Sequence, residues 1–117
     1  MDEKIMNRSF YDSVVKVRRG QKSYFATMDK DFLEKELKPM EAEIDRRLAS
    51  EYPTLEAACK FRRCVEEMRN WQKRYFIEYT DESLKRAKQW ERNVDRWIEV
   101  TEELIKERQQ PKLQFKE

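Results

Sequence analysis

The second half of the chain repeats the first, and no other feature restricts the fold as tightly. Val14-x-x-Val17-Arg18-x-x-Gln21-Lys22-x-Tyr24-Phe25 returns as Val65-x-x-Met68-Arg69-x-x-Gln72-Lys73-x-Tyr75-Phe76. The echo continues from Leu33, Glu41, Ile44, Asp45, Arg46 and Leu48 to Leu84, Glu91, Val94, Asp95, Arg96 and Ile98. The offset is 51 residues up to Leu84, as from Val14 to Val65, and 50 beyond it, as from Glu41 to Glu91. Each copy is therefore one unit of two elements, and the second copy lacks one residue inside its second element.

Spacing identifies the elements. Phe10, Val14, Val17, Gln21, Tyr24 and Met28 fall on one stripe of a helix predicted from about Ser9 to about Met28, with Ser9 and Asp12 as a capping box. Leu33, Leu37, Met40, Ile44 and Leu48 share a face of a second helix, with Asp29 as its N-cap. Pro39 lies inside that helix, where it removes a backbone hydrogen bond at a cost of about 3 kcal/mol, and predicts a kink near Leu37 or a late start. Glu51-Tyr52-Pro53-Thr54 joins the copies, with Thr54 placed to cap a third helix. That helix runs to about Tyr79 on the stripe Phe61, Val65, Met68, Gln72, Tyr75 and Tyr79. Thr80 and Asp81 mark a second turn, and a fourth helix through Leu84, Ala87, Glu91, Val94, Ile98, Thr101 and Ile105 reaches about Gln109, before Pro111. Residues 110–117 form a tail from which Leu113 and Phe115 could dock on a neighbouring surface.

Such short turns force each helix to lie antiparallel to its neighbour, and neither pair can hide its stripe alone. The expected fold is all-α: two tandem antiparallel helical hairpins, about 9–50 and about 54–109, forming a four-helix bundle in one domain spanning 1–117. A homodimer in which hairpins of two protomers share a core is the other way to bury the stripes.

Composition agrees with long amphipathic helices, with 43% charged residues, one glycine and three prolines. Aromatics at 12%, regularly spaced, argue for order despite the high charge. No apolar run approaches the roughly 20 residues that span a bilayer, and Met1-Asp2-Glu3-Lys4 does not read as a leader, so the expectation is a cytoplasmic protein with no membrane association. Cys59 and Cys64 diverge on one helix and are expected as unpaired, half-buried thiols.

The chain contains no histidine, which removes the usual Ser-His and Cys-His nucleophiles and the Glu-x-x-His ligands of di-iron bundles. Two cysteines at this spacing do not make a zinc site, and a single glycine excludes phosphate-cradling loops. The expectation is a protein that is not an enzyme, with no catalytic residue, no metal and no cofactor.

Three features remain as candidates for function. Arg18, Gln21 and Glu41 recur as Arg69, Gln72 and Glu91, and antiparallel pairing within each hairpin sets Arg18 level with Glu41 and Arg69 level with Glu91. This polar layer reads first as a device that fixes helix register, and otherwise as a ligand pocket. The first helix carries Lys16, Arg18, Arg19 and Lys22 with no acid from Ser13 to Met28, and the third is basic from Lys60 to Arg74. Among these, Lys16, Arg19, Lys22, Arg63, Lys73 and Arg74 are candidate binding residues, interleaved with aromatics that could stack on bases. A net charge of +2, from 26 basic and 24 acidic residues, weighs against a dedicated nucleic-acid binder. All three tryptophans lie in the second copy; Gly20 is expected to leave room for Trp71, and Trp90 is the candidate partner contact.

The pattern Met68-Arg69-x-x-Gln72-Lys73-x-Tyr75-Phe76, then Leu84-x-x-Ala87-Lys88-x-x-Glu91-x-x-Val94-Asp95-x-x-Ile98, resembles short helical-hairpin proteins of unassigned function from phages and mobile elements of gut bacteria. The likeness covers helices three and four best. It implies a mobile-element setting and a small protein that binds and modulates or inhibits a host complex such as a defence nuclease. A protein partner is thus the leading expectation, and nucleic acid bound along helices one and three is the alternative.

Overall fold

The computed structural model describes residues 8–50 and 56–109. Among them are four helices and no strand. α1 is Arg8–Thr27; α2 runs without a break through Lys30–Phe32, a π-helical turn at Leu33–Leu37, and Lys38–Ser50; α3 is Glu56–Glu78 and α4 is Asp81–Gln109. The joint at Thr54 and the tail with Leu113 and Phe115 lie outside the described residues.

The two turns are built alike. Met28 and Tyr79, equivalent in the repeat, both adopt left-handed backbone, with φ of 56° and 54°. Each donates its N–H to a carbonyl four residues back, Met28 to Tyr24 and Tyr79 to Tyr75, which closes the preceding helix. The next residue opens the following one: Asp29 Oδ1 accepts from the Phe32 N–H at 3.2 Å, and Thr80 Oγ1 accepts from the Ser83 N–H at 3.1 Å. The change of hand takes Met28 and Tyr79 off their helical stripes and leaves both side chains exposed, against the expectation from spacing. At the other end, Ser9 already lies inside α1 and does not cap it.

Pro39 neither delays α2 nor interrupts it. The Lys38 N–H donates to the Leu33 carbonyl, five residues back, in the turn just before the proline. A π turn holds one residue more than an α turn, so the extra residue of the first copy is absorbed there. Ile44, Asp45 and Leu48 then regain the register of Val94, Asp95 and Ile98.

Buried apolar side chains come from every helix: Phe10, Val14 and Val17 of α1, Ile44 and Leu48 of α2, Phe61, Val65 and Met68 of α3, Val94 and Ile105 of α4. Each fully buried aliphatic or aromatic side chain contributes about 1.5–3 kcal/mol. Phe10 and Phe61, equivalent positions, meet edge to face at 6.0 Å between ring centres. Tyr11 donates to Glu102 Oε2 at 2.8 Å; burial first, and then that carboxylate, push its phenol well above the ordinary value. The Tyr11 hydroxyl also lies 3.4 Å from the Ile98 carbonyl, and the equivalent Arg62 donates to the equivalent Leu48 carbonyl. α1 therefore meets α4 as α3 meets α2, and an approximate twofold axis relates the copies.

Gly20 serves its own helix pair, not α3. A Cβ there would stand 3.1 Å from both Leu37 Cδ1 and Met40 Cε, so the missing side chain admits α2 where its π turn ends. Trp71 instead lies half-exposed beneath the guanidinium groups of Arg74 and Arg86, at 5.0 and 5.5 Å. The positions equivalent to Gly20 and Leu37 are Trp71 and Ala87, so bulk has moved from one helix to the other between the copies. Cys64 is a free, half-buried thiol, and burial raises its pKa; the side chain of Cys59 lies outside the described residues.

Candidate functional site

Polar stripe positions in the middle of the helices meet in one layer. Gln21 Nε2 donates to Gln72 Oε1 and Gln72 Nε2 donates to Gln21 Oε1, each at 3.1 Å. The second N–H of each amide goes to a glutamate of its own pair, Gln21 to Glu41 and Gln72 to Glu91, both at 2.8 Å. The arginines complete the oxygens: Arg18 Nη1 donates to Gln21 at 2.7 Å and Arg69 Nη1 to Gln72 at 2.8 Å.

The arginines then reach across the repeat. Arg18 grips Asp95 with Nε and Nη2 at 2.8 and 2.9 Å, and Arg69 grips Asp45 at 2.9 and 3.0 Å. Each aspartate also holds a lysine, Asp95 with Lys22 at 3.3 Å and Asp45 with Lys73 at 3.6 Å. Arg69 comes within 3.6 Å of Glu41, and Arg18 within 4.0 Å of Glu91. The expected pairing of each arginine with the glutamate of its own copy is thus replaced by pairing between copies. The helices that share an Arg–Asp contact are α1 with α4 and α3 with α2, and the forked guanidinium–carboxylate geometry suits that longer reach. Burial raises Asp45 and Asp95, but the Arg and Lys partners outweigh it and hold both carboxyls below their ordinary value.

The layer is a closed set. Both glutamine amides use their full donor and acceptor capacity, and four cations face four carboxylates. The glutamine amides have no capacity to spare, so the arrangement fixes register and partner choice among helices.

Its two ends have different surroundings. Beside Arg18 and Asp95, Arg19 and Lys22 of α1 and Arg92 and Arg96 of α4 line a cleft of about 430 Å³, in contact with Val15 and Ile98. At the equivalent end, beside Arg69 and Asp45, Asn70 replaces Arg19, Ala42 replaces Arg92, and Glu66 replaces Val15. Arg46, the equivalent of Arg96, is bonded to Glu43 at 2.5 Å, and together with Arg47 it lowers the Glu43 carboxyl. Among the described residues, the end beside Asp95 gathers Arg19, Lys22, Arg92 and Arg96 in one cleft, whereas the other end keeps only Lys73 and Arg46 of the equivalent set.

The candidate residues read from sequence are therefore divided. Arg19 and Lys22 join the cleft, and Lys73 lies at the opposite end of the layer. Lys16 and Arg63 are exposed elsewhere, and Arg74 bonds Glu78 at 3.0 Å while covering Trp71. Trp90 is half-buried and packed against the core instead of standing free, because it takes the place of Met40. Sequence reasoning missed Arg92 and Arg96; their spacing of four residues, in line with Lys88, is the signal that finds them.

A second surface lies at the turns. Phe25 and Met28 from one turn, and Phe76, Ile77 and Tyr79 from the other, are all exposed, Ile77 by 80%. The alignment of Phe10 with Phe61 and of Gln21 with Gln72 puts both turns at one end of the molecule.

Among the described residues no helix is long and apolar enough to cross a membrane, and no group of three acidic or cysteine side chains is placed to hold a metal ion. Comparison with protein-family models, with curated proteins and with solved structures finds no match, so the resemblance to mobile-element proteins rests on the quoted residues alone.

Proposed function

We propose that the chain is a non-enzymatic protein-binding module, its two hairpins closing a four-helix bundle and its turn end carrying the partner. The exposure of Phe25, Met28, Phe76, Ile77 and Tyr79 at one end carries this reading. Single exposed apolar residues are ordinary, but a group of them drawn from two separated segments marks an interface. The backbone points the same way: a left-handed residue is easiest as glycine, yet both turns keep a large apolar side chain there. The implied role as a phage or mobile-element modulator of a host complex, such as a defence nuclease, is one use of this surface. Nucleic acid along α1 and α3 is less favoured, since Lys22 and Lys73 flank opposite ends of the polar layer.

The test is affinity capture from bacterial lysate with the wild-type chain and an F76S/I77E variant, helicity being checked by circular dichroism. A partner held by the wild type and lost by the folded variant supports the reading; an identical set captured by both removes it. Light scattering runs alongside, and a dimer broken by I77E would identify the partner as a second copy of the chain.

A further inference from the structure

We propose that the cleft between α1 and α4 binds a compact phosphorylated small molecule of nucleotide size. This site is separate from the turn end and does not depend on what that surface holds.

The volume of about 430 Å³ falls within the range of small-molecule pockets. Arg19, Lys22, Arg92 and Arg96 bring four cations to it from two helices, three of them arginines, whose forked guanidinium groups match phosphate oxygens. Arg19, Arg92 and Arg96 make no ion pair among the described residues, so they are not committed to the fold as Arg18 is. Of the two carboxylates in the lining, Asp95 is gripped by Arg18 and also meets Lys22, and Glu99 is set against Arg19, Arg92 and Arg96. Val15 and Ile98 add an apolar contact on which a base or other planar group can rest.

The repeat supplies an internal control. The fold needs the Arg–Gln–Asp layer at both ends, but it tolerates Asn70 and Ala42 where the cleft has Arg19 and Arg92. Charge at those two positions is therefore surplus to the fold, and it accumulates at one end only. A compact ligand suits this better than a long polyanion. Arg19 and Arg92 stand in one cleft, the opposite end has Asn70 and Ala42 in their places, and a net charge of +2 gives little long-range attraction to nucleic acid.

Amide NMR titrations with sodium tripolyphosphate, with ATP in the absence of added metal, and with a short single-stranded oligothymidylate provide the test. Saturable shifts at Val15, Arg19, Arg92 and Ile98 are expected with tripolyphosphate and ATP. The R19N/R92A variant installs the residues of the other copy and should fold; its affinity should fall roughly tenfold or more, whereas K73A at the other end should change it less than about twofold. Shifts spread over both ends, or equal affinity for wild type and R19N/R92A, would overturn the proposal. An oligonucleotide that binds more tightly than ATP overturns the compact ligand in favour of nucleic acid.

Discussion

Gln21 and Gln72 exchange two hydrogen bonds of equal length, 3.1 Å, across the axis that relates the copies. A residue that meets its own equivalent in this way is the signature of an isologous dimer interface. Here both sides of that interface belong to one chain, and the Arg18–Asp95 and Arg69–Asp45 grips repeat the relationship on either side of it.

The second half alone should therefore pair with itself. In a peptide of residues 54–109, Arg69 of one copy would take Asp95 of the other, and the Gln72 amides would meet each other. Sedimentation equilibrium should show a helical dimer. A folded monomer would contradict the internal-dimer reading.

Asp95→Ala should cost more than Glu91→Ala. The first strips the buried Arg18 guanidinium of its two-pronged partner and is expected to cost about 3 kcal/mol; the second removes one hydrogen bond from Gln72 and is expected to cost about 1–2 kcal/mol. Urea denaturation of both variants checks the order, and equal losses would mean that Arg18 does not depend on Asp95.

Acid should unfold the protein through the same pairs. Because Asp45 and Asp95 are held below their ordinary value of 3.8, the unfolded chain takes up protons first as pH falls. Their stabilisation is complete above the ordinary value and is lost as pH drops through the folded values. Melting temperature followed from about pH 6 to about pH 2 should fall most steeply below about pH 4. The D45N/D95N variant should start lower and show a flatter acid limb.

Replacing Met28 or Tyr79 by glycine should raise stability by up to about 1 kcal/mol, because the left-handed backbone no longer carries a Cβ. Thermal denaturation measures the gain. The same variants should weaken partner capture, a combination that a purely structural turn would not give.

Much of this was legible in the residues. The four-three spacing located the helices, Asp29 announced its cap, and Thr80 with Asp81 marked the second turn, because short oxygen-bearing side chains at a reversal have few other uses. The partners of Arg18 and Arg69 were not legible, since helical phase sets a glutamate of the same copy and an aspartate of the other at comparable heights. Arg92 and Arg96 were hidden by their neighbours Glu91, Asp95 and Glu99, because charge averaged along a helix conceals charge gathered on one face. Met28 and Tyr79 continued the stripe in number but not in space, as one left-handed residue destroys the phase that spacing assumes.

The π turn at Leu33–Leu37 bears on how the molecule opens. Its widened ring and the missing donor of Pro39 leave carbonyls there with weaker partners than those around Leu84 have in the uninterrupted α4. Amide protons of Glu34 to Lys38 should exchange with solvent sooner than those of Lys85 to Lys88, and the two halves, so alike in sequence, would then unravel in a fixed order with the second yielding last.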